Sequence, residues 1–193
     1  MTEKFGDKYR VKSARLSSWN YSADAYYFIT ICTKNRENFC GEIRNREMFL
    51  SPVGEIIEKY WRKISTHFPN TKLNKFVVMP NHLHGILILN NRKDEANCKD
   101  EANNYRRDEA MPRLYPPPPT RPKYAGKHPQ MSKISPKPGS LPVIIGSFKS
   151  ICAKHAHKIR PDFDWQARYY DHIIRDKKNL QKIQNYILTN VVN

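Results

Sequence analysis

The chain has 193 residues, enough for one domain with a sizeable core, and no run of eighteen apolar residues, which excludes a spanning helix. Hydrophobic residues at 39% and aromatics at 11% describe a mostly globular protein, and the charged stretch from Met1 to Arg15 lacks the apolar segment of a secretory signal, so a cytoplasmic location is expected. Lysine and arginine number 34 against 18 acids, a formal charge of +16 that favours a polyanionic partner, nucleic acid before an anionic membrane surface. Between Asn90 and Ser140 stand eleven bases and six acids, a net of +5 that leaves +11 on the rest, so the excess belongs mainly to the folded part. Cys32, Cys40, Cys98 and Cys152 are scattered without a CxxC pair, which argues against a disulfide framework or zinc knuckle. Cys32 and Cys152 fit ordinary core positions.

In chain order, Tyr26 to Thr33 is rich in β-branched and aromatic residues and predicts a buried strand. After a turn region, Ser51-Pro52 sets a helix start, with serine as cap and proline at the first helical position. Val53, Ile56, Ile57, Tyr60, Trp61 and Ile64 recur at helical spacing up to His67, and Pro69 ends the run. Leu73 to Met79 predicts a second strand and His82 to Leu89 a third. The Pro80-Asn81 break between them is too short for a crossover, so this pair is antiparallel.

Residues 90–140 then change character. Short Asp-Glu-Ala repeats at 94, 100 and 108 precede a stretch, Pro112 to Pro142, that holds ten of the fourteen prolines. Such a segment cannot pair its backbone groups and buries little. It predicts a largely disordered, low-complexity insertion within a single domain spanning 1–193. A proline-rich ligand for a partner module is the other use such a segment could have. Order resumes at Val143, where Ile144, Ile145, Phe148, Ile151, Cys152 and His155 outline an amphipathic helix with Lys149, Lys154 and Lys158 opposite. Trp165 to Ile174 predicts a fourth strand, and Asp176 caps a last helix whose apolar stripe is Leu180, Ile183, Ile187 and Leu188. The order β, α, β, β, α, β, α suits an α+β fold, an antiparallel sheet with helices packed on one side.

His82-Leu83-His84 is the strongest local feature. On a strand, residues i and i+2 share a face, so both imidazoles project together while Leu83 enters the core. They fit one divalent metal; taken alone the pattern is weak, and two exposed strand histidines are its commoner meaning. His155-Ala156-His157 lies in a helix, where i and i+2 diverge. A two-histidine site needs a third ligand, and the last helix offers one: Tyr186 and Asn190, four apart, share a helical face. An amide oxygen from Asn190 could complete the metal shell and leave Tyr186 beside the ion, with Lys182 one turn earlier to lower the phenol pKa. Without the histidines, Tyr186 would pass for a core-edge aromatic.

Met79-Pro80-Asn81-His82-Leu83-His84-Gly85 with the apolar strand Ile86 to Leu89 resembles the histidine–hydrophobic–histidine motif of the single-tyrosine HUH transposases. Within that group the chain is most similar to the REP-associated tyrosine transposases and their transposase-like relatives. Gly146-Ser147-Phe148-Lys149, the run Trp165 to Asp176, and Tyr186-Ile187-Leu188-Thr189-Asn190 recur in the family's order, and the likeness spans the chain except the insert and the first twenty residues. It implies a ferredoxin-like fold in which His82, His84 and Asn190 bind magnesium or manganese and Tyr186 is the nucleophile. It also implies action on single-stranded DNA at hairpin-forming repeats through a 5′-phosphotyrosine link; the sequence leaves monomer or homodimer open. Relatives commonly carry a proline after the matching asparagine and a further tail, whereas Val191-Val192-Asn193 follow here, a departure that puts the tail's DNA contacts, and activity itself, in question.

The implied chemistry agrees with the residues. Lys149, Lys154, Arg168 and Arg175 would hold the DNA backbone, and Tyr169 or Tyr170 could stack on unpaired bases; a solvated charge or a core aromatic describes each of them equally well. His172 suits a satisfied structural histidine. Two rivals stand beside this reading: a non-catalytic nucleic-acid-binding module of ferredoxin-like fold, and a metal phosphoesterase that uses water and leaves Tyr186 idle.

Overall fold

In the computed structural model, the structure describes residues 16, 18–90 and 136–191, together with the backbone of two short paired strands, β1 (Lys4–Phe5) and β2 (Lys8–Tyr9). Of the predicted insertion at 90–140, residues 91–135 lie outside the described part.

The main sheet has four antiparallel strands: β3 (Ala25–Cys32), β6 (Thr71–Met79), β7 (His82–Leu89) and β8 (Tyr170–Ile174), in the order β6-β7-β3-β8. By sequence, the second, third, first and fourth of these strands lie side by side. With α1 (Pro52–Arg62) between β3 and β6, and α3 (Leu141–Ala156) between β7 and β8, this is the ferredoxin-like βαββαβ arrangement. β3 is central because both its edges are paired, and its alternation buries Tyr27, Ile29 and Ile31 completely.

Those three side chains face the main core, which they share with Leu83, Leu87 and Leu89 of β7, Val53, Ile57 and Trp61 of α1, and Ile144, Ile145, Phe148 and Cys152 of α3. The sheet and the two helices meet most tightly at Gly85. A Cβ there would stand 2.3 Å from Trp61 Cζ2, so the indole lies flat against the strand only because position 85 has no side chain. α1 starts where Ser51 Oγ accepts from Gly54 N at 3.1 Å, with Pro52 in the first turn, and a break at Lys63 separates it from the single turn α2 (Ile64–His67).

The other face of the sheet carries a smaller core. Ile86 and Ile174 pack with Ile187 of α4 (Lys177–Thr189), and Phe28, Val77, Leu180 and Ile183 surround them. The helices of the main core thus lie on one side, as expected, and α4 closes the second face. Asp176 caps α4 by accepting from Asn179 N at 2.7 Å. Of the expected stripe, Leu188 departs: it is 59% exposed, because the turn that buries Ile187 points its neighbour outward.

Three further differences have local causes. β4 (Gly41–Arg44) and β5 (Glu47–Leu50) form a hairpin where a turn region was expected. Its loop residues Asn45 and Arg46 both have positive φ, the requirement of the tight primed turn, which arginine does not announce. α3 begins at Leu141 rather than Val143, since Pro142 is accommodated in its first turn. Only Tyr170–Ile174 of the expected fourth strand is regular: Arg168, at φ 68°, turns the chain out of extended conformation, and Trp165 forms an isolated bridge to Thr33.

Candidate active site

β7 starts directly after the Pro80-Asn81 turn, so the histidines occupy its first and third positions. Register places His82 between Cys32 of β3 and Met79 of β6, and His84 between Thr30 and Val77. Leu83 is fully buried in the main core and both imidazoles emerge on the α4 face, as period-2 alternation requires. Their Nε2 atoms stand 3.1 Å apart. Each Nδ1 has an oxygen partner: Asn81 Oδ1 at 2.7 Å for His82, and Thr30 Oγ1 at 2.8 Å for His84. Phe28 stacks on the His84 ring at 5.3 Å. Burial, reinforced by the Arg36 guanidinium, lowers the His82 pKa. Burial, reinforced by His82, takes that of His84 down to about 4. Both rings are therefore neutral near pH 7, the form in which imidazole donates a lone pair to a metal.

α4 brings the third group. Ile187 anchors the helix on Ile86 and Ile174, and Gln184 Nε2 donates to Asn74 Oδ1 of β6 at 2.8 Å. On the adjoining helical face, Tyr186 is 49% exposed and its hydroxyl lies 3.2 Å from His84 Nε2. The phenol ring meets Phe28 edge-on at 6.2 Å. One turn later Asn190 ends the helix, and its Nδ2 is buried with no hydrogen-bond partner. That nitrogen is a donor, and leaving it buried without a partner costs about 1–3 kcal/mol; only the oxygen of the same amide could ligate a cation.

The donor chemistry suits a divalent cation. Two neutral imidazoles converge with their outer nitrogens already satisfied, which is how metal-ligating histidines are usually oriented. Among the described residues no three histidine, cysteine, aspartate or glutamate side chains cluster, and Asn190 follows Tyr186 by one helical turn.

The expected DNA-contact residues are dispersed. Tyr170 is 57% exposed and pairs with Thr30 on the side away from His84, so it shares the histidine face. Its neighbour Tyr169 packs against the main core instead. Lys149 and Lys154 belong to α3, in the layer on the far side of the sheet. The Lys149 ammonium donates to the carbonyls of Gln166 and Arg168 at 2.7 and 2.9 Å, and burial lowers its pKa. It holds the loop that leads into β8. Arg168, on that loop, and Arg175, just after β8, are both exposed. His172 Nε2 lies 3.1 Å from Asn179 Nδ2, a structural pairing as expected.

Sequence reasoning missed Thr30, Asn81 and Phe28. Asn81 was adjacent to the motif and could have been suspected; Thr30 and Phe28 reach His84 only through strand register.

An uncharacterized protein of Haemophilus influenzae is 36% identical over 183 residues, which covers 94% of this chain and 88% of that protein. No family profile matches the chain. Among solved structures, a REP-associated tyrosine transposase bound to a REP hairpin is similar with a TM-score of 0.52, over 94% of this chain and 73% of that one, at 15% identity. At that identity the likeness is one of fold.

Proposed function

Since the chain belongs to one family with the Haemophilus influenzae protein and has the fold of a REP-associated tyrosine transposase, we propose that it is a metal-dependent single-stranded DNA nickase and strand transferase. The observation that carries this reading is the phenol of Tyr186 at 3.2 Å from the same His84 nitrogen that faces His82 at 3.1 Å. A non-catalytic binding module has no use for a half-exposed phenol aimed at two neutral, converging imidazoles.

In this reading Tyr186 is the nucleophile, and His82, His84 and the Asn190 amide hold magnesium or manganese. When bound, the cation would polarise the scissile phosphate and offset the charge that develops in the displacement. Tyr186 Oη loses its proton and forms a bond to phosphorus as the bond to the 3′-oxygen breaks. The departing strand takes up a proton as a 3′-hydroxyl, and the chain keeps a 5′-phosphotyrosine ester. That ester stays reactive toward another DNA 3′-hydroxyl, which makes strand transfer the reverse of cleavage. α4 is held by Ile187 and the Gln184–Asn74 bond, which supports a nucleophile oriented ahead of substrate binding.

Hairpin-forming repeats with a single-stranded flank are the proposed substrate, by analogy with the REP hairpin bound in the similar structure. Tyr170, exposed on the histidine face, is positioned to stack on an unpaired base. Arg168 and Arg175 supply positive charge near the β8 edge. Incubating the protein and Mn²⁺ with labelled hairpins tests the proposal. The 3′ label should travel with protein and a 5′-labelled fragment should be released with a 3′-hydroxyl. Cleavage without any adduct would favour the water-using phosphoesterase.

A further inference from the structure

His82 and His84 sit in a chain of hydrogen bonds whose direction can be read from one end. Asn81 donates Nδ2–H to the Arg36 carbonyl at 3.1 Å, and a carbonyl can only accept. That orients the amide, so Asn81 Oδ1 is the atom at 2.7 Å from His82 Nδ1. Oδ1 also only accepts, so His82 Nδ1 carries the proton and Nε2 of the neutral ring carries the lone pair. This lone pair faces His84 Nε2 at 3.1 Å. Two opposed lone pairs would repel at that distance whatever the Tyr186 hydroxyl does, so without a cation His84 Nε2 is the donor, with His82 Nε2 and, at 3.2 Å, the Tyr186 oxygen as its acceptors. Its Nδ1 is then an acceptor, and the group at 2.8 Å that can donate to it is the Thr30 hydroxyl. The two histidines are thus different tautomers side by side.

A divalent cation between the rings needs both Nε2 lone pairs. We infer that Thr30 is a positioning residue whose hydroxyl serves both states: it donates to His84 Nδ1 in the cation-free protein and accepts from it once a cation takes Nε2. The second state rests on the metal reading proposed above; the first does not. The exchange leaves the ring neutral. The Nε2 proton goes to solvent, Nδ1 takes one from solvent, and the Thr30 hydroxyl rotates. A carbonyl or carboxylate at this place could only accept, which would force two lone pairs together in the empty site. An apolar side chain would leave Nδ1 without a partner. A hydroxyl is the side-chain group on a β-branched strand residue that does both.

Long-range proton–nitrogen correlation spectra of histidine-labelled, metal-free protein near pH 7 test the first state, with signals assigned through His82→Gln and His84→Gln. The expected result is His82 protonated on Nδ1 and His84 on Nε2. Adding Zn²⁺, a diamagnetic probe, should move the His84 proton to Nδ1. Mn²⁺ affinity, read from the free-ion resonance signal, should fall about tenfold or more in Thr30→Val and stay within about threefold of wild type in Thr30→Ser. The same tautomer on both rings in the metal-free protein, or Mn²⁺ binding by Thr30→Val as tight as wild type, would overturn the inference. Histidine signals that ignore both cations would instead remove the metal reading and the second state with it. The metal-free tautomers would still be decided by the first spectrum.

Discussion

Burial at His84 links stability to chemistry. The ring is 7% exposed and its pKa stands near 4, against about 6.5 for an unfolded chain. Between those values the unfolded state binds a proton that the folded state refuses. Metal-free protein should therefore lose stability as pH falls from about 6.5 through about 4, by roughly 2–3 kcal/mol. The urea midpoint at pH 7 and pH 4.5 measures this, and His84→Gln should flatten the difference; an equal acid loss in that variant would assign the effect elsewhere. At neutral pH, His82→Ala and His84→Ala should keep the fold and abolish Mn²⁺-dependent nicking, because both rings face the site rather than the main core. Wild-type nicking by both would remove the histidines from the chemistry. The motif was legible because a period of two needs only the knowledge that the segment is a strand. Thr30 was not, since it meets His84 from 54 residues away, and that register is fixed by packing. Lys149 shows the opposite case: a lysine on a polar helix face looks like a phosphate contact, and which carbonyls lie within its reach is not written in its neighbours.

Among the elements, α4 holds Tyr186 on little packing. Ile187 is its one buried side chain, so its first turn leans on the Asp176 cap. Asp176→Ala should cost about 1 kcal/mol and lower the cleavage rate, since the frayed helix carries Tyr186, while Asp176→Asn should restore most of both. A thermal melt and a nicking time course on the two variants check this; unchanged melting in Asp176→Ala would mean that α4 is held by its sheet contacts alone. Gly85 is the counterpart in β7. Gly85→Ala should destabilise by about 1–3 kcal/mol through the clash with Trp61, a rigid ring inside the core, and a stability equal to wild type would show that the indole can move. The helices were legible from caps and periodicity, as Ser51 and Asp176 illustrate. The β4–β5 hairpin was hidden by Arg46, and the start of β8 by Arg168, positions where arginine, which does not advertise positive φ, adopts it.

On the scale of the whole molecule, the order of elements was enough for the ferredoxin-like arrangement, because short connections leave few ways to pair the strands. What the order did not give is α4 on the second face, where it turns two strand histidines and a helical tyrosine into one site. The described residues on either side of 91–135 come close together. Asn90 N donates to the Asn70 carbonyl at 2.8 Å, and Asn70 Nδ2 donates to the Gly139 carbonyl at 3.0 Å. Both ends therefore meet one residue, and a short Gly/Ser linker in place of residues 92–135 should leave a cooperative thermal transition. Loss of that transition would make the segment part of the fold.

If Tyr186 attacks DNA at a site built by His82 and His84, Tyr186→Phe separates binding from chemistry. The variant keeps the ring against Phe28 and His84 and loses one oxygen, so hairpin binding should match wild type in a filter assay while the covalent adduct disappears. Wild-type protein trapped with a 3′-labelled hairpin and Mn²⁺ should yield, after proteolysis, a labelled peptide containing Tyr186. Adduct formed by Tyr186→Phe at the wild-type level, or a label mapped to Tyr169 or Tyr170, would contradict the account.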